Sequence, residues 1–238
     1  MPLRQHDIIL AEGSFQVFLT NRRRLFAVIN APKTALGPMR IALEVAEHAG
    51  LPLMTHLDLP PPPRDAVMGL LRRGDIITHC FRPFPNAPVA PDGRVREEVA
   101  AARERGIVFD IGHGGGSFGF RTAEAMLAAG FLPDVISSDV HVLSINGPAF
   151  DQITTMSKLL SLGMELGEVI RAGTAAPAAA LGRTDLGHLA PGAVGDASVL
   201  DLAEGEFDYR DVLGETRRGR LRLSASGLVV SGMWWGAG

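Results

Sequence analysis

The sequence predicts an α/β fold built on a parallel sheet, because two patterns alternate along it. Short apolar runs bounded by Gly, Pro or Asp alternate with longer amphipathic segments from about Leu25 to Gly182. Apolar runs of this length are typical of strands that are buried on both faces. The amphipathic segments have helical spacing, and each ends at a glycine that suits a left-handed helix cap. A repeated strand–helix unit predicts a parallel sheet covered by helices.

The predicted elements follow one another in strict order. The predicted strands are LFAVIN (25–30), LPLMTH (51–56), DIITHC (75–80), GIVFDI (106–111) and DVISSD (134–139). The predicted helices are PMRIALEVAEHAG (38–50), RDAVMGLLRRG (64–74), RVREEVAAARERG (94–106) and RTAEAMLAAG (121–130). After Gly182 the pattern changes to short polar and apolar alternations, which predict small antiparallel strands. We therefore expect an α/β domain over 1–183 and an all-β element over 184–238.

Composition and charge exclude several classes of protein. The 238 residues carry a formal net charge of −3, so the chain lacks the basic surface that non-specific nucleic-acid binding requires. The single cysteine, Cys80, cannot form an intrachain disulfide and is interpreted as a buried packing residue in a reducing compartment. No apolar run reaches the ~18 residues of a membrane span, and no signal pattern begins the chain. We expect a cytoplasmic globular protein that binds neither nucleic acid nor membrane.

Chemically reactive side chains lie where the predicted strands end. His56 closes one strand, His79 lies in the next, Asp139 closes the last, and His113 follows GIVFDI by two residues. In α/β barrels the carboxyl ends of the strands form the active-site face, so these groups would converge. Neutral imidazoles with a carboxylate suit Zn²⁺, Fe²⁺ or Mn²⁺. The alternative for each single histidine is a hydrogen-bonded residue of the core.

Two loop segments allow more than one interpretation. The glycine-rich stretch GHGGGSFGF (112–120) could bring backbone N–H groups to an anion, or it could be a tight turn without a ligand. It lacks the Lys-Ser/Thr pair of a P-loop. The proline-rich stretch FRPFPNAPVAPDG (81–93) is a long loop that is either functional or disordered.

A set of motifs then resembles the amidohydrolase superfamily, and within it the deacetylase and dihydroorotase-like metallohydrolases. The motifs, which run from about residue 21 to the C-terminus, are LPLMTH, GDIITHCF, VFDIGHGGGSF, ISSDVH, NGPAFDQITTMSKLLSLGM and TAAPAAALG with LGHLAPGAVGDASVLDL. The resemblance implies a (β/α)8 TIM-barrel-type fold flanked by a small β-sandwich. The five predicted strands match the family's strands four to eight, so an incomplete barrel is expected, with 184–238 as the C-terminal part of the sandwich.

The same resemblance implies a reaction and a set of site residues. His56 and His79 would be metal ligands, and Asp139 would be a further ligand and the proton acceptor of the reaction. His113, Gly114 and Gly115 would line the substrate pocket. The implied activity is hydrolysis of an amide, cyclic-amide or ester bond of a small molecule by metal-activated water. Zinc is the expected cofactor, as one ion rather than two, with another divalent metal as the alternative.

Two departures from the family pattern qualify that expectation. No His-x-His pair occurs in this sequence, although the family's first strand carries one. Where the family has a bridging lysine, this chain reads LFAVINAPK, with Ile29 or Asn30 at the lysine position and Lys33 shortly after. The alternative is therefore a truncated, catalytically inactive member that acts as a subunit or binding protein.

An incomplete barrel also predicts an association. It would leave the edges of strands 25–30 and 134–139 unpaired, and such edges invite pairing with another chain. We expect a homo-oligomer or a complementing N-terminal fragment as the partner.

Overall fold

The computed structural model describes residues 8–11, 15–20, 24–29, 36–57, 60–83 and 85–236, with the backbone alone up to residue 29. The strands are β1 (Ile8–Ala11), β2 (Phe15–Thr20), β3 (Arg24–Ile29), β4 (Leu53–Leu57), β5 (Ile76–Ile77), β6 (Val108–Phe109), β7 (Ala197–Arg210), β8 (Thr216–Val230) and β9 (Met233–Gly236). The helices are α1 (Gly37–Ala49), α2 (Arg64–Leu70), α3 (Glu97–Glu104), α4 (Phe120–Ala128), α5 (Gln152–Ser161), α6 (Leu166–Gly173) and α7 (Ala175–Ala180).

The first sheet confirms the parallel pairing of the first four predicted strands. Its order is β1-β2-β3-β4-β5-β6, and β3 through β6 pair in parallel with a helix after each. The register places Val28 beside His56, Thr55 beside Ile77, and Ile77 beside Phe109. The chain is therefore α/β, as the alternation of strands and helices predicts.

The hairpin β1–β2 corrects one expectation. Strand β2 pairs antiparallel with β3, from Phe15 opposite Ile29 to Thr20 opposite Arg24. The edge of strand 25–30 is therefore covered, and the prediction of an unpaired edge there is wrong. The physical reason is that the preceding residues form a ladder of their own, which supplies the backbone partners that an open edge would lack. With three parallel and two antiparallel pairings, this sheet does not by itself establish an incomplete barrel.

The predicted strand 134–139 is not a regular strand. Its carbonyls at Val135, Ser137 and Ser138 accept hydrogen bonds from the N–H groups of Ile111, His113 and Gly114 at 3.0, 3.4 and 2.9 Å. Both segments advance in the same direction along this ladder, so the pairing is parallel, as predicted. The ladder is irregular because the positive φ angles of Gly112 and Gly114, 47° and 51°, interrupt the extended backbone.

The second sheet confirms antiparallel strands after Gly182. Its order is β7-β8-β9, and both pairings are antiparallel. The strands β7 and β8 have 14 and 15 residues and are longer than the small strands that the sequence predicts. Register shifts interrupt the ladder between Val199 and Leu200 and between Glu204 and Phe207.

The chain divides into two compact units. Unit one contains Met1–Asp110 and Ala125–Leu132, and unit two contains Ile111–Glu124 and Pro133–Gly238. The predicted boundary between 1–183 and 184–238 stays a prediction. None of the helices in the described ranges is long and apolar enough to cross a membrane.

The described part of loop 81–93 is packed. Phe81 and Ala87 are fully buried, and Val89 forms an antiparallel bridge with Val95. This loop therefore belongs to the core of unit one. Cys80 is buried beside it, as predicted.

The carboxylate of Asp75 joins three parts of unit one. One oxygen accepts the N–H of Leu53 at 2.8 Å, and the other accepts the N–H of Arg72 at 2.7 Å. The Arg72 guanidinium donates to both oxygens, at 3.0 and 2.9 Å. Asp75 is only 1% exposed, so no solvent replaces these partners when one is lost. The residue fixes the start of β4 relative to the start of β5.

Substituting Asp75→Ala is expected to lower the free energy of unfolding by roughly 2–4 kcal/mol, because the buried N–H of Leu53 loses its acceptor and the Arg72 guanidinium loses its anion. Urea unfolding followed by circular dichroism measures this change as a lower midpoint. The control is Asp92→Ala, which removes an exposed carboxylate paired with Arg94 and should leave the midpoint unchanged. Equal midpoints for the two variants would contradict the role assigned to Asp75.

Candidate active site

Two of the predicted ligands, His56 and His79, lie together in unit one. His56 is in β4, and His79 follows β5 by two residues. Their rings meet edge to face, with centroids 4.5 Å apart and planes at 89°. Because β4 and β5 are neighbouring parallel strands, their carboxyl ends deliver both imidazoles to the same edge of the sheet. This proximity is what the positions of the two histidines in the sequence predict.

The backbone at His79 adopts a conformation that side chains seldom take. Its φ is +67°, in the left-handed region, which costs a non-glycine residue on the order of 1 kcal/mol or more. The preceding residue still belongs to the ladder, since the Thr78 N–H donates to the Thr55 carbonyl at 3.0 Å. The chain therefore turns sharply at the buried His79. Strained backbone of this kind is concentrated at functional sites.

A buried side-chain bond holds that turn in place. The Thr78 hydroxyl donates to Asp110 Oδ2 at 2.6 Å, and both residues are buried. The Asp110 carbonyl also accepts the N–H of Cys80 at 2.9 Å. Asp110 thus supports the residues on either side of His79. Sequence analysis missed this role because Asp110 lies inside an apolar run, where its only signal is being a carboxylate among Ile, Val and Phe.

In unit two the glycine-rich segment lies against Asp139. A Cβ atom added at Gly114 would lie 2.5 Å from Asp139 Oδ2. Gly114 also has a φ of +51°, so both the backbone conformation and the close carboxylate require glycine. A Cβ at Gly115 would approach the ring of His141 at 3.8 Å. The structure therefore brings the predicted residues Gly114 and Asp139 together.

The carboxyl group of Asp139 holds its proton more tightly than usual. Desolvation raises the pKa of Asp139, and the nearby His141 acts in the opposite direction. His141 is oriented by its own loop, since its Nδ1 accepts the N–H of Leu143 at 3.2 Å. Sequence analysis did not assign a role to His141, although it follows Asp139 by two residues.

His113 is fully buried and both of its ring nitrogens are engaged within unit two. Its Nδ1 lies 2.9 Å from the Gly114 carbonyl and its Nε2 lies 2.7 Å from Lys158 Nζ. Since a carbonyl only accepts, Nδ1 carries the proton and Nε2 accepts from the lysine. The Phe118 ring stacks on the imidazole at 4.7 Å. This geometry gives His113 a structural function, and its role in substrate binding stays a prediction.

Lys158 is a buried cation that connects three segments of unit two. Besides His113, its ammonium donates to the carbonyls of Pro148 and Arg210 at 2.6 and 2.7 Å. Burial lowers the pKa of Lys158 to about 7 and that of His113 to about 4, and the lysine charge contributes to the second shift. Lys158 is one of only two lysines in the sequence, but no sequence pattern places it beside a histidine that lies 45 positions away.

No set of three or more His, Cys, Asp or Glu side chains within the described ranges is arranged to hold a metal ion. Of the predicted ligand set, His56 and His79 belong to unit one and Asp139 belongs to unit two. Asn30 and Lys33, which were considered for the bridging position, lie outside the described residues. The two adjacent imidazoles fit the histidine part of an open zinc site, which has three protein ligands.

The lowered pKa values of His113 and Lys158 predict how the free energy of unfolding depends on pH. The folded pKa of His113 is about 4 and its ordinary value is 6.5, so the unfolded chain binds more protons between these values. Its contribution to stability is therefore lost as the pH falls through that window. The folded pKa of Lys158 is about 7 and its ordinary value is 10.5, so that contribution grows as the pH rises from 7 to 10.5.

Urea unfolding at several pH values measures both contributions. The difference in unfolding free energy between the parent chain and His113→Gln should increase between pH 4 and 6.5 and then level off. The corresponding difference for Lys158→Met should increase between pH 7 and 10.5. The exposed His188 provides the control variant His188→Gln, which should follow the parent chain. A pH-independent difference for His113→Gln would contradict the burial of an uncharged imidazole.

Comparison with known proteins finds similar sequences and similar structures. A deacetylase of Agrobacterium fabrum is 37% identical over 182 residues, which are 76% of this chain and 44% of that protein. The crystal structure of an adenine deaminase matches with a TM-score of 0.86 and 29% identity, over 89% of this chain and 59% of the deaminase. A dihydroorotase structure matches with a TM-score of 0.77 and 34% identity, over 85% of this chain and 53% of the dihydroorotase.

The extent of these matches is as informative as their identity. The chain spans about half the length of the curated relatives that it matches. The family model of the amidohydrolase family matches residues 99–226, which include the glycine-rich segment, Asp139, Lys158 and most of the second sheet. More than half of the chain is covered by that model, and the relatives agree with it. The chain belongs to the amidohydrolase family.

Proposed function

We propose that this chain takes part in the metal-dependent hydrolysis of an amide, cyclic-amide or ester bond of a small molecule. The observation that supports this proposal best is the edge-to-face contact of His56 and His79. Two imidazoles at the ends of neighbouring parallel strands, one of them on strained backbone, are suited to share a metal ion. Family membership and a relative named deacetylase support the same reaction class.

The proposed cofactor is a single zinc ion held by His56 and His79, with another divalent metal as the alternative. Bound zinc would supply Lewis-acid polarisation of a carbonyl group and a nucleophile formed from water at neutral pH. One ion is proposed rather than two, because the sequence has no His-x-His pair and has Ile29 or Asn30 where the family has its bridging lysine.

Asp139 is the proposed ligand and proton acceptor. Its raised pKa makes the carboxylate a stronger base than a fully solvated one, so it can hold a proton during the reaction. Gly114 and Gly115 are proposed to border the substrate, because the lack of side chains there keeps the space beside Asp139 and His141 open. His113 is proposed to act by positioning Gly114, whose carbonyl it binds.

A second candidate is a catalytically inactive member that acts as a subunit or binding protein. It is favoured by Ile29 or Asn30 at the position of the family's bridging lysine. In either case we propose that the chain corresponds to strands four to eight of a barrel. We also propose that 184–238 is the C-terminal part of a β-sandwich. The proposed partner is a second copy of the chain or a complementing N-terminal fragment.

Zinc content tests the metal ligands directly. After purification in zinc and extensive buffer exchange, elemental analysis of the parent chain is expected to give weakly bound, substoichiometric zinc. The double variant His56→Ala with His79→Ala should lose it, because the histidine pair is removed. The control His48→Ala removes an exposed histidine of α1 that binds the Glu44 carbonyl, and it should retain the parent's zinc.

Two results would contradict this assignment. Unchanged zinc in the double variant would show that His56 and His79 are not ligands. Two tightly held zinc ions per chain would show that other residues replace the missing ligands and that the proposal of a single ion is wrong.

Hydrolysis separates the two candidate functions. With N-acetyl amino acids as substrates, the parent chain alone is expected to be slow or inactive. Activity should appear after adding the N-terminal half of the Agrobacterium deacetylase. In that mixture Asp139→Asn should lower kcat/KM by about 10²–10⁴, as removal of a general base does, whereas the exposed control Asp201→Asn should not. Persistent inactivity of the mixture, with zinc bound as predicted, would favour the inactive subunit.

A further inference from the structure

A cavity in unit one is bordered by the loops that follow β4 and β5. Its volume is about 360 Å³. Pro60 and Pro63 contribute from the loop after β4, and Pro85 and Asn86 contribute from the loop after β5. Arg64 and Arg96 contribute its cationic side chains, and Asp65 and Glu98 contribute its acidic ones. None of the roles proposed above uses this cavity.

Arg64 is the unusual residue of this cavity. It is only 8% exposed, and its Nη2 atom is buried without a hydrogen-bond partner in the structure as described. Arg72, in the same unit, shows the ordinary arrangement, because its guanidinium donates to both oxygens of Asp75. A buried guanidinium with no hydrogen-bonded anion is costly, since its charge is desolvated and only partly compensated.

The surroundings of Arg64 carry charges of both signs. Burial lowers the pKa of Arg64 to about 10, Glu98 opposes this shift, and the charges of Arg96 and Arg82 add to it. Arg64 nevertheless keeps its proton at neutral pH. The two neighbouring arginines donate to backbone carbonyls, Arg96 to Ala87 at 3.0 Å and Arg82 to Leu57 at 3.2 Å. Three guanidinium groups thus influence one another here, with Glu98 as the acidic group that acts on Arg64.

We propose that this cavity is a binding site for a small oxyanion, a carboxylate or a phosphate, which pairs with Arg64. A planar guanidinium matches the two oxygens of such groups, and the cavity lies beside loops that are anchored at the ends of β4 and β5. The anion is either the carboxylate of a small organic molecule or free inorganic phosphate. The site does not depend on the proposed hydrolysis.

Thermal unfolding with chosen anions tests the site. The probes are N-acetylglycinate, inorganic phosphate and the uncharged N-acetylglycinamide, all at an ionic strength held constant with sodium chloride. Because a ligand that binds only the folded chain raises Tm, a saturating anion should raise it by roughly 5 °C. N-acetylglycinate and phosphate distinguish the two sources of the anion, and N-acetylglycinamide should have no effect.

Substitutions at Arg64 test whether its guanidinium is responsible for the anion-dependent rise in Tm. Arg64→Gln should abolish the anion-dependent rise, and Arg64→Lys should reduce it, because lysine keeps the charge but loses the planar donor pair. Without anion, Arg64→Gln is expected to have a Tm close to that of the parent chain, because it removes both a desolvated charge and the attraction of that charge to Glu98. The control Arg40→Gln removes an exposed guanidinium from α1 and should behave as the parent chain.

The possible outcomes separate this proposal from the preceding one. An equal rise for Arg64→Gln, a rise with N-acetylglycinamide, or no rise with either anion would overturn the oxyanion site. Zinc content should be unchanged in Arg64→Gln, because Arg64 is not among the proposed ligands. If the chain binds zinc but shows no anion-dependent rise in Tm, the oxyanion site is wrong and the proposed metal site is unaffected. If the chain shows the anion-dependent rise but binds no zinc, the proposed metal site is wrong and the oxyanion site is unaffected.

Discussion

The arrangement of the histidine pair depends on the buried carboxylate of Asp75. Its bonds to Leu53 and Arg72 fix where β4 begins relative to β5. Because the two strands are parallel and each residue advances by a constant rise, fixing their first residues also fixes where they end. His56 and His79 consequently reach the same edge of the sheet, although 22 positions separate Leu53 from Asp75.

Further buried polar contacts position His79 and His113. Thr78 and Asp110 hold the turn at His79 in unit one. Lys158 connects His113 with two backbone carbonyls in unit two. Such groups cost free energy when they are buried alone and stabilise one particular geometry when every partner is present. The apolar core makes the fold stable, and these contacts decide where the reactive side chains lie.

The amino-acid pattern predicts much of the fold, because burial on both faces leaves a readable signal in β3 to β6 and in α1 to α4. It also predicts that His56 and His79 are close, since both lie at the carboxyl ends of neighbouring parallel strands. It misses the hairpin β1–β2, whose short segments have no feature that separates an antiparallel partner from a loop. The contacts of Lys158 and Asp110 are missed for another reason. They join residues that are far apart in sequence, and no spacing rule connects such residues.

The central claim is that His56 and His79 together bind one metal ion. X-ray absorption at the zinc edge, on the parent chain loaded with less than one equivalent of zinc, tests this claim most directly. The account predicts a spectrum with two imidazole ligands at about 2.0–2.1 Å, shown by the outer-shell scattering of their rings. A spectrum without imidazole scattering, or with a single imidazole, would contradict it.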